Sequence, residues 1–455
     1  MSLYEIKLGN KKGNINKNHF FHPAKIFVIS FAIVILIGSL LLSLPIATKD
    51  GTSLPYIDAL FTATSAVCVT GLVVVDTGDT FSLFGQTIVM MLIQLGGLGF
   101  MTFASVVMLF LGIKISLKYR LILQENFSHY STQGVVKLLR NVVILTLIFE
   151  TIGMLVLGLK WYPDMGLKSF YFGLFHSISA FNNAGFDLFG SFSSLTNQTS
   201  DILTSLVIIS LFIFGGLGFF VLSDIFLFPK RKSLHYHSKL VLTMTFILLA
   251  VGFVGIFSME GNNPDTMGNL SLLEKIVASL FAAATPRTAG FSTIDVGSYS
   301  DAALLFTMVL MFIGASPGST GGGIKTTTFG IILAGIIANI RGNKQTVMYE
   351  RGVSNDIIWK ASTIAFLALF LIIITTFVLT LSEHNTFIEN FFESVSAFGT
   401  VGLSMGITPD LSLIGKIMVI ITMFIGRVGP LTLALVLSHK SEADIIYPNG
   451  DVMIG

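Results

Sequence analysis

Ala66-Val67-Cys68-Val69-Thr70-Gly71-Leu72 is the stretch that decides the fold, because a similar segment returns three more times at nearly constant spacing. Each copy follows a short apolar segment and places a glycine before a large apolar residue. The four copies are Val69-Thr70-Gly71-Leu72, Asn183-Ala184-Gly185-Phe186, Thr288-Ala289-Gly290-Phe291 and Thr400-Val401-Gly402-Leu403. The repeats are far longer than solenoid units, and they predict four pseudo-symmetric quarters around one axis.

The composition predicts that the chain lies in a lipid bilayer. Of its 455 residues, 53% are hydrophobic and only 11% are charged, which is too little polar surface for a soluble protein of this size. The single cysteine, Cys68, excludes an internal disulfide and a cysteine-based metal cluster. Its thiol either lines a pore or packs as a small apolar group. The fold class that we expect is an all-α integral membrane protein.

Long and short apolar runs alternate along the sequence. Eight runs are long enough to cross the bilayer, near residues 26–44, 84–112, 142–159, 202–228, 240–257, 304–340, 357–381 and 413–437. Four segments are too short to cross it and are expected to be re-entrant helices, near residues 57–66, 170–181, 273–284 and 387–398. Pro286 should end the third short helix early, since proline cannot donate a helical hydrogen bond.

This alternation divides the chain into parts of matching design. They are a cytoplasmic N-terminal segment (1–25), four repeats (26–112, 113–228, 229–341 and 342–440) and a cytoplasmic C-terminal tail (441–455). Lysine and arginine cluster before the first span and between repeats, and the positive-inside bias places these segments and both termini in the cytoplasm. The opposite loops carry Asp76, Asp79, Asp187, Asp265, Asp295, Asp301 and Asp410. These carboxylates either concentrate cations at an outer mouth or are ordinary solvated loop charges.

The glycine turns favour a cation. Non-helical backbone inside a membrane is tolerated only where it is buried in protein or lines water, so four such turns predict a shared polar path. A short helix that ends at each turn directs the negative end of its dipole towards that path, and glycine lets carbonyl oxygens turn inward. Helix-packing glycines are the alternative, but they are typical of continuous helices.

Beyond the four turns, the chain resembles the superfamily of potassium transporters that includes the TrkH, KtrB and plant HKT proteins, and most closely its KtrB branch. The resemblance rests on the four quarters, on Ser179-Ala180-Phe181-Asn182-Asn183-Ala184-Gly185-Phe186, on Thr285-Pro286-Arg287-Thr288-Ala289-Gly290-Phe291 and on the glycine-rich run 314–323. It implies a selectivity filter of backbone carbonyls at Val69, Thr70, Gly71, Asn183, Ala184, Gly185, Thr288, Ala289, Gly290, Thr400, Val401 and Gly402.

The resemblance also implies a setting for the chain. That setting is a homodimer in the bacterial plasma membrane with one pore per subunit, bound to a cytoplasmic octameric ring of RCK subunits that bind the regulatory nucleotide. Glycine at all four filter positions favours potassium, since some plant relatives that favour sodium have serine at the first. A sodium-selective or sodium-coupled transporter of the same fold stays an alternative, and so does sodium as an activator of potassium uptake.

Two features of the second spans are candidates for a gate, and for the second of them the resemblance implies a gate that the cytoplasmic partner shifts. Arg427 stands where the other quarters have Gly97, Gly216 or Ala315, and an arginine at membrane depth needs water or a partner. It either repels cations below the filter or is paired near a helix end. The other feature is an unwound intramembrane loop, Gly314-Ala315-Ser316-Pro317-Gly318-Ser319-Thr320-Gly321-Gly322-Gly323, followed by Ile324 and Lys325. Ile324 stands where a Walker A loop requires lysine, which argues against phosphate binding.

No pattern in the sequence predicts covalent chemistry, so we expect no enzyme activity, no catalytic residues and no covalent cofactor. A secondary transporter with alternating access usually has inverted repeats, whereas these repeats keep one orientation. A membrane scaffold without transport is a further alternative. His176 and Glu393, which occupy matching places in their short helices, either tune the filter from behind or bond neighbouring backbone.

Overall fold

The computed structural model describes residues 23–99 and 134–432, whose regular structure is almost entirely helical. The helices are α1 (Pro23–Leu42), α2 (Tyr56–Cys68), α3 (Thr77–Thr80), α4 (Leu83–Leu98), α5 (Gly134–Met165), α6 (Lys168–Phe181), α7 (Ile202–Leu217), α8 (Phe219–Arg231), α9 (Tyr236–Glu260), α10 (Leu272–Ala284), α11 (Asp301–Phe312), α12 (Thr326–Ile340), α13 (Asn355–Ser382), α14 (Phe387–Gly399) and α15 (Leu413–Val428). An antiparallel hairpin of β1 (Thr346–Met348) and β2 (Arg351–Val353) lies between α12 and α13. Most of segment 1–25, the tail 441–455 and the junction of the first two repeats lie outside the described residues.

Three described helices are long and apolar enough to cross a membrane without a break. They are Arg140–Met165 within α5, Tyr236–Glu260 and Asn355–Ser382. The run predicted near 202–228 is instead two helices, α7 and α8, with a bend of 99° between them. The bend falls at Gly218, whose φ of +93° costs little only for glycine. Hydrophobicity alone does not register such a bend.

Each quarter contains a long helix, a short helix and a second helix, as the alternating runs predict. The short helices α2, α6, α10 and α14 begin and end within two residues of their predicted bounds. α10 ends at Ala284, before Pro286, so the third short helix stops early as predicted. Each of the four repeated segments therefore follows the end of a short helix, and only the third quarter departs from the common pattern.

The second helix of every quarter begins at a side-chain cap that accepts a hydrogen bond from the first turn. The caps are Ser82, Asp201, Ser300 and Ser412. Two of them are also held by the end of the preceding long helix. Glu260 accepts the hydroxyl of Ser300 at 2.6 Å, and Glu383 accepts that of Ser412 at 2.6 Å. In these two quarters the bonds hold the end of the long helix next to the start of the second helix, and the short helix and its turn connect these two points.

The quarters pack in chain order around a closed ring. α4 packs on α6, α7 on α10, α11 on α14, and α15 returns to α2. Lys416 of α15 and Asp58 of α2 form an ion pair of 2.7 Å at this closing contact, with only 16% and 15% of their side chains exposed. In this order the second and fourth quarters face each other across the axis, as do the first and third.

Candidate functional site

The four repeated segments adopt the same backbone turn. In each, the glycine and the residue two positions before it have positive φ angles. The pairs are Val69 (57°) with Gly71 (91°), Asn183 (59°) with Gly185 (70°), Thr288 (68°) with Gly290 (78°) and Thr400 (50°) with Gly402 (94°). Valine and threonine rarely adopt this conformation, and such strain persists where a functional site requires it.

The turns meet around a closed ring of close contacts. Each glycine lies against the carbonyl oxygen of the residue that precedes the glycine of the next quarter. The contacts are Gly71 with Ala184, Gly185 with Ala289, Gly290 with Val401 and Gly402 with Thr70. A Cβ atom on Gly71 would lie 2.6 Å from the oxygen of Ala184, so no larger residue fits there unless the backbone moves. We call the four glycines the glycine ring.

The backbone N–H groups beside the glycine ring donate hydrogen bonds to the short helices and not to groups within the ring. The N–H groups of Thr70, Ala184, Ala289 and Val401 donate to carbonyl oxygens at or near the ends of the short helices, at 2.7 to 2.9 Å. Within residues 23–99 and 134–432, no group donates a hydrogen bond to the carbonyl oxygens of these same residues. Buried carbonyl groups without a donor are costly, and a cation or water can satisfy them. The arrangement is suited to binding a cation.

A cavity of about 250 Å³ opens on one side of the glycine ring. All four glycines line it, together with Asp76, Asp187 and Asp295. Three of the seven aspartates predicted at the outer mouth therefore face this space. Burial raises the pKa of Asp187 to about 7; a hydrogen bond from the N–H of Phe189 opposes the rise, and the nearby Asp76 and Asp79 add to it.

On the other side of the turns lies the unwound segment between α11 and α12. Its ends are joined by a hydrogen bond from the N–H of Gly314 to the oxygen of Ile324, at 2.8 Å. The N–H of Ser316 donates to Gly216 at 3.1 Å, which attaches the loop to the end of α7. The loop 314–323 is thus non-helical, as predicted, and bonded to a neighbouring quarter.

The same loop reaches the filter turns themselves. The Thr320 hydroxyl donates to the side-chain oxygen of Asn183 at 2.9 Å. Gly321 lies against the hydroxyl of Thr288, and Gly322 lies against that of Thr400, with no space for a Cβ atom at either glycine. The loop therefore contacts the first residue of the turn in three of the four quarters.

Arg427 and Lys325 both bind the loop. The Arg427 guanidinium donates to the carbonyl oxygens of Thr320 and Gly96, and the Lys325 ammonium donates to that of Gly321 at 2.7 Å. No carboxylate of the described residues forms an ion pair with Arg427. The sequence left two interpretations of Arg427: a barrier to cations, or an arginine paired near a helix end. Among the described residues no carboxylate pairs with Arg427, and its charge lies beside the loop.

Two serines belong to the site that sequence reasoning did not single out. The Ser65 hydroxyl accepts the N–H of Gly71 at 3.1 Å, and the Ser396 hydroxyl accepts that of Gly402 at 3.2 Å. Both stand at the same distance in sequence before their glycine, which is the signal that could have revealed them. Cys68 is fully buried in the hydrophobic core, in agreement with the packing interpretation of its thiol.

Comparison with known proteins shows the family to which the chain belongs. The family model described as "Cation transport protein", TrkH, matches residues 11–447. The chain belongs to the TrkH family. It is 46% identical over 436 residues to the Ktr system potassium uptake protein B of Bacillus subtilis, covering 96% of this chain and 97% of that protein. It is 40% identical over 441 residues to the potassium/sodium uptake protein NtpJ of Enterococcus hirae, covering 95% and 97%.

The fold is also that of a solved family structure. The crystal structure of the potassium transporter TrkH from Vibrio parahaemolyticus superposes with a TM-score of 0.69 at 17% identity, covering 92% of this chain and 86% of that one. Since the matched TrkH-family proteins are cation transporters, this chain is a transport protein and not an enzyme. Its apolar helices embed it in a membrane.

Proposed function

We propose that this chain takes up potassium across the bacterial plasma membrane, down the electrochemical gradient, through one pore per chain. The observation that carries the proposal is the set of carbonyl oxygens of Thr70, Ala184, Ala289 and Val401, which lie at the glycine ring without a described protein donor. Carbonyl rings can replace the hydration shell of a monovalent ion. Two relatives are named potassium uptake proteins of the Ktr system, which supports potassium as the cargo.

In this proposal the selectivity filter of each quarter consists of three residues, from the residue two positions before the glycine to the glycine itself. The helices α2, α6, α10 and α14 serve as re-entrant pore helices, and the negative ends of their dipoles stabilise a cation. Eight spans surround them, with both termini in the cytoplasm. The cavity with Asp76, Asp187 and Asp295 then forms the outer vestibule, where carboxylates raise the local cation concentration.

A sodium-selective or sodium/potassium-coupled transporter of the same fold is the second candidate. A relative named for potassium and sodium uptake favours it, as does the single glycine per quarter, which gives fewer carbonyl layers than a longer filter. Competition decides between the two. If sodium inhibits rubidium uptake to the same degree as potassium does, the second candidate is correct.

The loop 314–323 is the gate in this proposal, and Arg427 and Lys325 hold it closed. Contacts with Asn183, Thr288 and Thr400 put the loop directly against the filter, where a closed gate would obstruct an ion. The Arg427 charge beside the loop adds an electrostatic barrier. Replacing Arg427 with alanine should therefore raise flux in the absence of activation, and unchanged flux would remove Arg427 from the gate.

A partner subunit is expected to control the loop. The name of the relatives' Ktr system supports a second component, for which we propose a cytoplasmic octameric RCK ring that binds the nucleotide, while this chain forms a homodimer. Sodium as an activator is a further part of this proposal. Co-purification with an RCK ring, and the mass of the complex, test it directly.

The decisive experiment measures transport. The chain is expressed with and without an RCK partner in cells that lack potassium uptake, and the purified protein is placed in liposomes for rubidium uptake. We expect growth at low potassium and rubidium uptake that potassium competes for. A correctly folded chain that carries no ion in either assay would contradict the proposal and favour a scaffold.

A further inference from the structure

Glu393 is a fully buried carboxylate on α14, about two helical turns before the filter turn. Its two oxygens accept the hydroxyls of Ser404, at 2.8 Å, and Thr408, at 2.5 Å. The Ser404 hydroxyl also accepts the N–H of Gly406 at 3.0 Å. A buried acid at membrane depth is costly unless its oxygens are paired, and here both are. These partners are side chains beyond the filter and not the neighbouring backbone, which was one of the two interpretations that the sequence left open for Glu393.

The partners of Glu393 belong to the wall of the cavity beyond the glycine ring. Ser404, Gly406 and Thr408 all line that cavity and directly follow Gly402 in the chain. On the inner side, Ser396 of the same helix accepts the N–H of Gly402 at 3.2 Å. The segment from Gly402 to Thr408 is therefore attached to one helix at both of its ends, so an inward movement of the Gly402 backbone must break buried hydrogen bonds.

The opposite quarter has a matching attachment. His176 occupies the same helix position as Glu393, since each directly follows its aligned phenylalanine. The His176 Nδ1 lies 2.8 Å from the carbonyl oxygen of Phe172, so this nitrogen carries the proton. Nε2 is left as an acceptor for the N–H of Leu188 at 3.4 Å. Leu188 lies just after Gly185, so a side chain again joins the short helix to the exit of the turn.

In the other two quarters the residue at this helix position does not bond the residues that follow the turn. The equivalent residues are Thr62, whose hydroxyl donates to Asp58 within its own helix, and Ala282, which has no polar side chain. The attached quarters, the second and the fourth, face each other across the axis. Bonds from this helix position to the residues that follow the turn are therefore confined to one diagonal of the ring. The other two turns are bonded from the ends of their short helices, where Ser65 accepts the N–H of Gly71 at 3.1 Å and Thr285 donates to the carbonyl oxygen of Phe291 at 2.6 Å.

We propose that Glu393 is a positioning residue that fixes the radius of the filter, with His176 as its counterpart across the pore. A smaller ion such as sodium needs the carbonyl oxygens to move inward, and the attachment opposes that movement in two of the four quarters. Glu393 thereby sets the discrimination between potassium and sodium without touching the ion. This inference rests on the proposed function of the turns as the filter.

The test compares three variants in the full-length protein. We call residues 402–408 the exit segment. Glu393→Ala removes both hydrogen bonds to this segment, whereas Glu393→Gln keeps the size of the side chain and can bond the hydroxyls of both Ser404 and Thr408. Glu389→Ala is the matched control, because Glu389 caps the same helix by bonding Thr386 and forms no described hydrogen bond with residues 402–408. The readouts are the difference between thermal stabilisation by potassium and by sodium in detergent, and inhibition of rubidium uptake by sodium in liposomes.

We expect Glu393→Ala to lose about tenfold of the preference for potassium over sodium, because two buried hydrogen bonds are lost. Glu393→Gln should stay within about threefold of the unmodified protein, because neutral hydrogen bonds still hold the segment. Glu389→Ala should lower the melting temperature through the lost cap, with ion preference unchanged. If Glu393→Ala does not fold, Ser404→Ala combined with Thr408→Val removes the same bonds from the other side.

Two results overturn the inference. One is an unchanged preference in Glu393→Ala or in the double variant. The other is a preference in Glu393→Gln that falls as far as in Glu393→Ala, because the charge and not the attachment would then decide. An unmodified protein that neither transports rubidium nor gains stability from potassium would instead refute the proposed filter, a result recognisable before any variant is made.

Discussion

At the scale of single residues, the site depends on glycines that satisfy two conditions at once. Gly185 has a φ of 70°, and its Cα faces the carbonyl oxygen of Ala289, which a Cβ atom would approach to 3.0 Å. The sequence predicts the first condition, because a repeated glycine after a short helix marks a turn. It does not reveal the second, since the neighbour lies in another quarter.

Gly185→Ala should abolish most potassium uptake. The methyl group must displace the backbone of the next quarter, in addition to a conformational cost of about 1–2 kcal/mol for alanine in the left-handed region. Rubidium uptake in liposomes is the measurement. Gly51→Ala is the control, because Gly51 has a similar φ of 67° and no atom within 4 Å of an added Cβ. Equal loss in both variants would attribute the effect to backbone strain alone.

Asp187 should make uptake depend on pH. Because its pKa is raised to about 7, first by burial, the carboxyl is charged above that pH and becomes neutral as the pH falls through it. Uptake at low potassium should therefore decrease between pH 8 and pH 6, as the vestibule loses negative charge. Asp187→Asn should resemble the unmodified protein at low pH and lose this dependence. A variant with an unchanged pH profile would assign the titration to another group.

At the scale of elements, the sequence predicts features that neighbouring residues encode, but not contacts between distant parts of the chain. The short helices were predicted within two residues, because apolar runs and turn residues are local signals. The unwound loop 314–323 was predicted for the same reason, from its glycines and Pro317. Its attachment to Asn183 was not predictable, since nothing in the sequence pairs two residues so far apart. The bend at Gly218 was missed because the apolar run continues across it on both sides.

Gly322→Ala should open the gate. An added Cβ meets the side chain of Thr400, so the loop cannot take its present position and flux without the partner should rise several-fold. Gly318→Ala is the control within the same loop. Its φ of 67° strains alanine, but no atom lies within 4 Å of an added Cβ, so this variant reports the effect of backbone strain in the loop without the contact with Thr400. The measurement is rubidium uptake by the chain alone. Low uptake in the Gly322 variant would mean that this contact does not close the pore.

At the scale of the whole molecule, a single chain forms a ring that must be closed between its first and last quarters. The fourfold repeat in the sequence predicts the quarters, but it does not specify which residues join the ends. The structure shows that α15 packs on α2 and that Lys416 pairs with Asp58 there. A pair this far apart in the chain has no sequence signature.

Lys416→Met should destabilise the protein by about 1–3 kcal/mol, because Asp58 is left mostly buried without its charged partner. The control is Lys160→Met, which removes an ion pair of 3.4 Å from a lysine whose side chain is 41% exposed and should cost about 0–1 kcal/mol. Thermal unfolding in detergent measures both. A smaller shift for Lys416→Met than for Lys160→Met would show that the closing contact depends on apolar packing.

The contacts around the glycine ring have a handedness. The atom nearest to an added Cβ on Gly71 belongs to the second quarter, on Gly290 to the fourth and on Gly402 to the first, always one step onward in the same rotational sense. A substitution in one copy therefore presses most closely on the next quarter. At Gly290 and Gly402 it also meets the preceding one, since an added Cβ would lie 2.9 Å from the Cα of Gly185 and 3.1 Å from that of Gly290. Because the four neighbours are different residues, corresponding mutations in the four copies are four distinct experiments, and no copy can stand in for another.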